Sequence, residues 1–342
     1  MINDNSFRHA CPIRLLWIVL SFIIFHLTSL TIVTTRPIKR ACWLSLLLLL
    51  SFSRVAAQQQ KFPKDIPAGN YSGITPIGDD RYAVVSDKSD DGFFIFHIDI
   101  DTVSGRILSV RNEGFRSSGQ PTRDQEGIAY QPYSRTLYVS GEADNRILEY
   151  TLDGVRTGRQ LQVPDVFGRF SHNYGLESLC YDAETRQFFS VSERPAEGDS
   201  LLRLTVFDDN GKLRRQYAYS LDKVKPKRKG TLVNGVSELC ALGDGRLLVL
   251  ERTVRVPKLK IGSYVDCRLY EVRPSADEQL HKDLVYSFRT KINLTRRNFA
   301  NYEGLCVAKK LSDGRLILLL IADSQNQYRG LLRDWLKTVI IR

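Results

Sequence analysis

Three glutamates and two serines, Ser72, Glu126, Glu177, Ser237 and Glu303, hold the same place in five short motifs: NYSGIT, DQEGIA, GLESLC, GVSELC and YEGLC. If the fold brings these five side chains together, the result is a cluster of hard oxygen donors. Carboxylates that converge without a counter-charge repel one another and rise in pKa, and a cation joining them removes that penalty. Calcium suits the set, because it takes about six to eight oxygens in flexible geometry, whereas magnesium wants a near-ideal octahedron. Zinc wants His or Cys, and the three histidines beyond residue 57 (His97, His172 and His281) have no metal-site spacing. The alternative is that these residues hydrogen-bond backbone groups at the ends of repeated strands.

A second series, Asp87, Glu142, Glu193, Glu251 and Asp323, closes apolar runs downstream of each motif, and three of its members are followed by a base: Asp87-Lys88, Glu193-Arg194 and Glu251-Arg252. With Arg123 these bases form a candidate clamp for a phosphate ester or another small anionic ligand. Lys88, Arg123, Arg194 and Arg252 would hold its oxygens, and Asp87 is the candidate to orient an attacking water beside the cation. The competing reading is a rim of solvated turn charges, since surface pairs contribute little, on a non-catalytic binding protein. No G-x-S-x-G nucleophile elbow, P-loop or dinucleotide fingerprint occurs.

Both series need a scaffold that repeats. The first series recurs at spacings of 54, 51, 60 and 66 residues, and each motif is followed by an apolar β-rich run: RYAVVSD, TLYVSGE, QFFSVSE, RLLVLE and RLILLLIAD. A third strand follows in every copy, and RILSVRN, RQLQVPD, RRQYAYS and DLVYSFR are candidates for a fourth. Four strands per unit is a propeller blade. The chain is therefore expected to be all-β, a β-propeller of five four-stranded antiparallel blades, with a six-bladed ring carrying one degenerate blade as the alternative. Residues 58–342 form this single domain, and Lys61 to Ile66 supply the last blade's outer strand, closing the ring. The first strand of each blade lines the channel, so the five anchors form a ring at one depth. Cys180, Cys240 and Cys306 follow three anchors at equal distance, which points to buried thiols in separate blades rather than disulfides.

The order Ser72, Glu126, Glu177, Ser237, Glu303, in these contexts, resembles the calcium ring of the five-bladed calcium-activated nucleotidases (apyrases). The wider pattern DQEGIAY, GLESLCYD, VSERP and NYEGL resembles the phytase-like family, "esterase-like activity of phytase". These resemblances imply a calcium-dependent phosphoric-ester hydrolase. VSDKSDDG matches the apyrases' channel-mouth aspartate loop, whereas Glu193-Arg194 stands where they carry a basic pair, a departure that bears on nucleotide specificity.

Ahead of the domain, residues 1–57 read as a leader. Arg36, Lys39 and Arg40 precede an apolar stretch and Ala56-Ala57, a secretory signal over residues 36–57. Ile13 to Val33 is a second apolar stretch of membrane-spanning length, either an anchor or an over-extended start. The chain is thus expected to be secreted, periplasmic or on the cell surface, touching a membrane only through that segment. Removing the leader leaves 43 Lys/Arg against 37 Asp/Glu, a net charge of about +6 in place of +11. That is too dilute for a nucleic-acid footprint. No sequence signal bears on oligomeric state.

Overall fold

The computed structural model describes residues 58–64, 66–170, 175–224, 230–258, 260–292, 298–325 and 334–342. The leader with both its apolar segments lies outside them. Among the described residues, no helix is long and apolar enough to cross a membrane.

The described strands make five antiparallel sheets of four. The first blade is β2 (Tyr71–Gly78), β3 (Arg81–Ser86), β4 (Gly92–Ile100) and β5 (Ile107–Ser117). The second is β6 (Gln125–Gln131), β7 (Thr136–Gly141), β8 (Arg146–Thr151) and β9 (Arg156–Gln160). The third is β10 (Leu176–Asp182), β11 (Gln187–Ser192), β12 (Leu202–Asp208) and β13 (Leu213–Tyr219), and the fourth β14 (Gly230–Gly243), β15 (Arg246–Pro257), β16 (Tyr264–Val272) and β17 (Lys282–Lys291). The fifth joins β18 (Asn301–Lys310), β19 (Leu316–Asp323) and β20 (Trp335–Ile341) to β1 (Gln58–Lys61) from the other end of the chain. The inner strands touch in the closed order β2, β6, β10, β14, β18 and back to β2. The architecture is a five-bladed propeller.

The second strand of each blade reads as a nearly unbroken apolar run, as in β19 (LILLLIAD), because neighbouring blades cover both faces. Fourth strands meet solvent and are polar, as in β9 (RTGRQ). The core is accordingly five clusters, one per interface between blades. Cys180, Cys240 and Cys306 are buried, unpaired and divided among three of these clusters. The β2–β3 link turns at Asp79 and Asp80, both at positive φ (53° and 58°), as a two-residue type I′ hairpin requires.

Two expected strands sit elsewhere. The closing strand pairs Gln58 with Thr338 through to Lys61 with Trp335, earlier than Lys61 to Ile66. Pro63 has no N–H to extend a ladder, and Ile66 turns into the core. The outer strand of the second blade is Arg156–Gln160 rather than RQLQVPD, since Leu161 is drawn into the cluster between the second and third blades.

The fourth blade departs from the rest. β14 begins seven residues before Ser237, and its first residues, Gly230 to Asn234, pair with Pro257 back to Thr253. At about 3.3 Å per residue this hairpin extends the blade by about 16 Å at the anchor end.

Candidate metal centre at the channel mouth

All five anchors fall within β-bulges. The inner-strand register breaks at Tyr71/Ile74, Gln125/Ile128, Leu176/Ser178, Val236/Glu238 and Tyr302/Gly304, and each break contains its anchor. A bulge leaves one residue unpaired and re-aims its side chain, here at the same height in every blade. The residue after the anchor is glycine in three blades because the inner strands are pressed together there. A Cβ at Gly73 would come within 2.5 Å of the Glu126 carbonyl oxygen, one at Gly127 within 2.6 Å of the Leu179 nitrogen, and one at Gly304 within 2.8 Å of the Ser72 carbonyl oxygen.

The three anchor glutamates, Glu126, Glu177 and Glu303, line a cavity of about 300 Å³ at the channel mouth. The two serines do not line it. Ser72 Oγ donates to the Asn70 carbonyl at 3.4 Å, and Ser237 Oγ lies 3.3 Å from the Leu250 carbonyl and 3.4 Å from that of Tyr302. Both serines thus take part in strand-end hydrogen bonding, Ser72 with the Glu126 carboxyl as well, and of the five anchors the three glutamates face the cavity.

The second series arrives one strand later. Asp87, Glu142 and Glu193 donate their backbone N–H to Asn70, Asp124 and Gly175, each two residues before an anchor, and Asp323 pairs with Asn301 in the same way. All four line the cavity. In the fourth blade the residue opposite the corresponding Gly235 is Arg252, so a base takes the acid's place. Glu251, one residue earlier, points to the other face of its strand. Fully buried there, it accepts from Tyr219 Oη at 2.6 Å and from the Asp222 N–H at 3.2 Å.

Arg252 binds the Glu303 carboxylate and lies 3.3 Å from both Glu177 Oε1 and Glu193 Oε1. Lys88 sits across the mouth, 2.9 Å from Asp87 Oδ2 and 3.0 Å from Asp124 Oδ1. Seven carboxyl groups therefore line the cavity against these two cations. Burial, reinforced by Glu177, Asp87 and Glu142, drives Glu126 well above the usual carboxylate range. Burial and Glu193 do the same to Glu177, against the pull of Arg252. Burial also lifts Asp323, to about 7, and raises Asp87 in spite of Lys88.

The remaining expected clamp residues are not at the mouth. Arg123 is buried, its guanidinium bonded to both Asp144 oxygens at 2.8 Å, to Tyr150 Oη at 3.1 Å and to the Arg146 carbonyl at 2.8 Å. Arg194 follows Glu193 but does not line the cavity. Asp124 is the residue the sequence undervalued. It lies at positive φ (57°) just before β6, and one carboxylate oxygen each from Asp87, Asp124 and Glu126 fall within 4.8 Å of one another.

The Asp87–Asp124–Glu126 group can hold a metal ion. Its donors are all carboxylate oxygens, the chemistry of a hard cation, and Asp87 Oδ1 is buried without a hydrogen-bond partner, a state that is costly unless something satisfies it.

Residues 66–325 match the phytase-like family, "Esterase-like activity of phytase". No curated protein matches the chain. Similar solved structures include the WD40 β-propeller domain of Doa1 (11% identity, TM-score 0.35, 82% of this chain and 96% of that one). Streptogramin B lyase is similar at 13% identity and TM-score 0.36, over 83% of this chain and 98% of that one. The tail fibre of Staphylococcus aureus phage P68 is similar at 12% identity and TM-score 0.43, over 87% and 56%.

Proposed function

Because the chain belongs to the phytase-like family, we propose that it is an exported, calcium-dependent phosphate-ester hydrolase acting at the acidic mouth of its channel. The observation that carries this reading is the Asp87–Asp124–Glu126 group, with its orphaned Asp87 oxygen, at the edge of the channel glutamates. Export rests on the basic and apolar leader that ends at Ala57.

Charge excess favours a cation. Eight carboxyl groups, the seven that line the mouth and Asp124 beside them, face only Lys88 and Arg252, and a divalent cation would offset part of that excess so that an anionic ester can approach. Bound there, calcium would polarise a phosphoryl oxygen and acidify a water. Asp87, Asp124 and Glu126 would hold it, and Asp87 would also orient the water. Lys88, which bridges Asp87 and Asp124, would be placed to contact the ester's oxygens once those carboxylates hold a cation. Arg252, fixed by three carboxylates, presents the other positive edge.

The second reading, a binding propeller with structural calcium, is favoured by one observation: Arg123 and Arg194 are absent from the mouth, and Arg252 is already engaged by acids. One experiment separates the two. Calcium is titrated against thermal unfolding of residues 58–342 and of a Glu126→Gln, Glu177→Gln, Glu303→Gln variant, beside p-nitrophenyl phosphate turnover by wild type and Asp87→Ala. A site bound only in the native state raises the midpoint as calcium passes its dissociation constant. The hydrolase reading expects that rise in wild type only, with calcium-dependent turnover lost in Asp87→Ala. A calcium response without turnover leaves the binding propeller, and no calcium response refutes both.

A further inference from the structure

The extended hairpin of the fourth blade builds a second cavity against the mouth. Side chains alternate along a strand, so one face of this extension carries Thr231 and Val233 from β14, Val254 and Val256 from β15, and Val265 from β16. Val233, Val254 and Val265 are register partners in one row, and Thr231 pairs with Val256 above them. The facing wall includes Ile292, Phe299 and Asn301, and the enclosed slot measures about 210 Å³. Val233, Val254, Val256 and Ile292 are only half-buried, so the slot is an open apolar surface.

Two features tie the slot to the mouth. Arg252 and Gln325 line both cavities, so the slot opens beside the acidic cluster. At its floor are two polar atoms without partners. Arg252 Nε and Asn301 Oδ1 are buried and make no hydrogen bond, although their residues are only 8% and 2% exposed. Their other atoms are engaged: the Arg252 terminal nitrogens with the acids, and Asn301 Nδ2 with Glu303 Oε1 at 2.8 Å. Both atoms have almost no accessible surface, so what the slot offers a ligand is its apolar wall, which fits a compact hydrocarbon.

We propose that this slot is the subsite for the alcohol part of the substrate, and that the substrate is an ester of an apolar alcohol or phenol about one ring in size. This rests on the hydrolase reading for the acid part, which sits over the mouth. The ring lies on Val233, Val254 and Val256 opposite Phe299. The volume is adequate, since an apolar cavity of about 150 Å³ accommodates benzene. Polyol esters, whose hydroxyls would face valines without partners, are disfavoured.

The test separates the slot from the chemistry. Phenol binding is measured by calorimetry with wild type, with Thr231→Trp, which fills the slot from an exposed position, and with Val256→Asp, which charges its half-buried rim. Turnover of phenyl phosphate is compared with that of glycerol phosphate in calcium. Phenol affinity should fall at least tenfold in both variants, and wild-type kcat/KM should favour phenyl phosphate over glycerol phosphate at least tenfold, a preference that both variants lose. Phenol binding that is lost in the variants, with neither ester hydrolysed, would keep the slot and overturn the hydrolase. Equal turnover of the two esters, or phenol binding unaffected by both substitutions, would overturn the slot. Circular dichroism and the thermal midpoint confirm that each variant is folded, and Thr231→Ser serves as a control that leaves the slot open.

Discussion

Arg252 is the residue whose removal most directly tests the electrostatics of the channel. Its guanidinium is the shared counter-charge of Glu177, Glu193 and Glu303, at the centre of the ring and almost fully buried. Arg252→Met keeps most of the side-chain volume and removes the charge. Breaking a buried ion pair by deleting one partner costs about 3–5 kcal/mol, because the other partner is left charged in a poor solvent. That cost has an escape, since a carboxylate can take up a proton. The native pKa values of Glu177 and Asp323 already stand above the ordinary range, that of Asp323 at about 7. For a carboxyl raised in the folded state, the native protein binds more protons than the unfolded chain between the two pKa values. Its stability is then greatest below the unfolded pKa and falls as pH rises through the folded one. For Asp323 alone, at about 1.4 kcal/mol per pKa unit, full ionisation costs on the order of 4 kcal/mol. Without Arg252 these pKa values rise further, so the loss deepens at alkaline pH.

The expected result of urea unfolding in chelator is therefore a destabilisation of about 1–2 kcal/mol at pH 5, where Glu177 and Asp323 can take up protons, growing to about 3–5 kcal/mol at pH 8. Wild type itself should lose stability from pH 5 to pH 8 in chelator and recover it with calcium. Adding Glu177→Gln and Glu303→Gln to Arg252→Met should remove most of the pH dependence. An equal loss at pH 5 and pH 8 would refute the reasoning, because it would mean that Arg252 acts through packing and not as the counter-charge of the ring.

Two further substitutions test the scaffold. Gly127→Ala places a methyl group 2.6 Å from the Leu179 nitrogen, backbone that cannot yield, so the thermal midpoint should fall by the equivalent of about 1–3 kcal/mol, and calcium should shift it less than in wild type. Arg123→Met removes a buried guanidinium bonded to Asp144, Tyr150 and the Arg146 carbonyl. It should cost about 2–4 kcal/mol in urea unfolding yet leave the calcium-induced shift of the midpoint intact. A lost calcium response would put Arg123 back at the mouth.

The ring was legible in the sequence because its members recur in phase with the apolar strands, and phase survives differences in loop length. What the sequence hid depends on single-residue register. Glu251 reads as the fourth blade's acid because it closes the apolar run as Asp87 and Glu193 do, but a slip of one residue moves a strand side chain to the opposite face. The inner-strand bulges, invisible in composition, decide which residue stands opposite Gly235. Asp124 belongs to neither repeating series, and its approach to Asp87 and Glu126 follows from a left-handed backbone conformation. Ser72 and Ser237 share the glutamates' place, but their short side chains bond nearby carbonyls and do not line the cavity. The extended hairpin left one trace, the longer intervals of 60 and 66 residues around the fourth motif.

Arg252 also divides the mouth into two unequal halves. On the side of the third to fifth blades, Glu177, Glu193 and Glu303 share a fixed arginine. On the side of the first and second blades, Asp87 and Asp124 share the half-exposed Lys88, Asp87 Oδ1 has no hydrogen-bond partner, and Glu126 faces the repulsion of Asp87 and Glu177. On the proposed reading, the need for an external cation is therefore local. Chelating calcium should loosen the ends of β3 and β6, and leave the ends of β11 and β18 nearly as protected as before. Hydrogen exchange followed by mass spectrometry reads this directly: amides around Asp87 to Ser89 and Arg123 to Gln125 should exchange at least tenfold faster in chelator, while those around Ser192 to Glu193 and Tyr302 to Glu303 change little. Equal acceleration at all five blade ends would mean that the cation sits on the channel axis and is shared by every blade, and that Arg252 does not stand in for it.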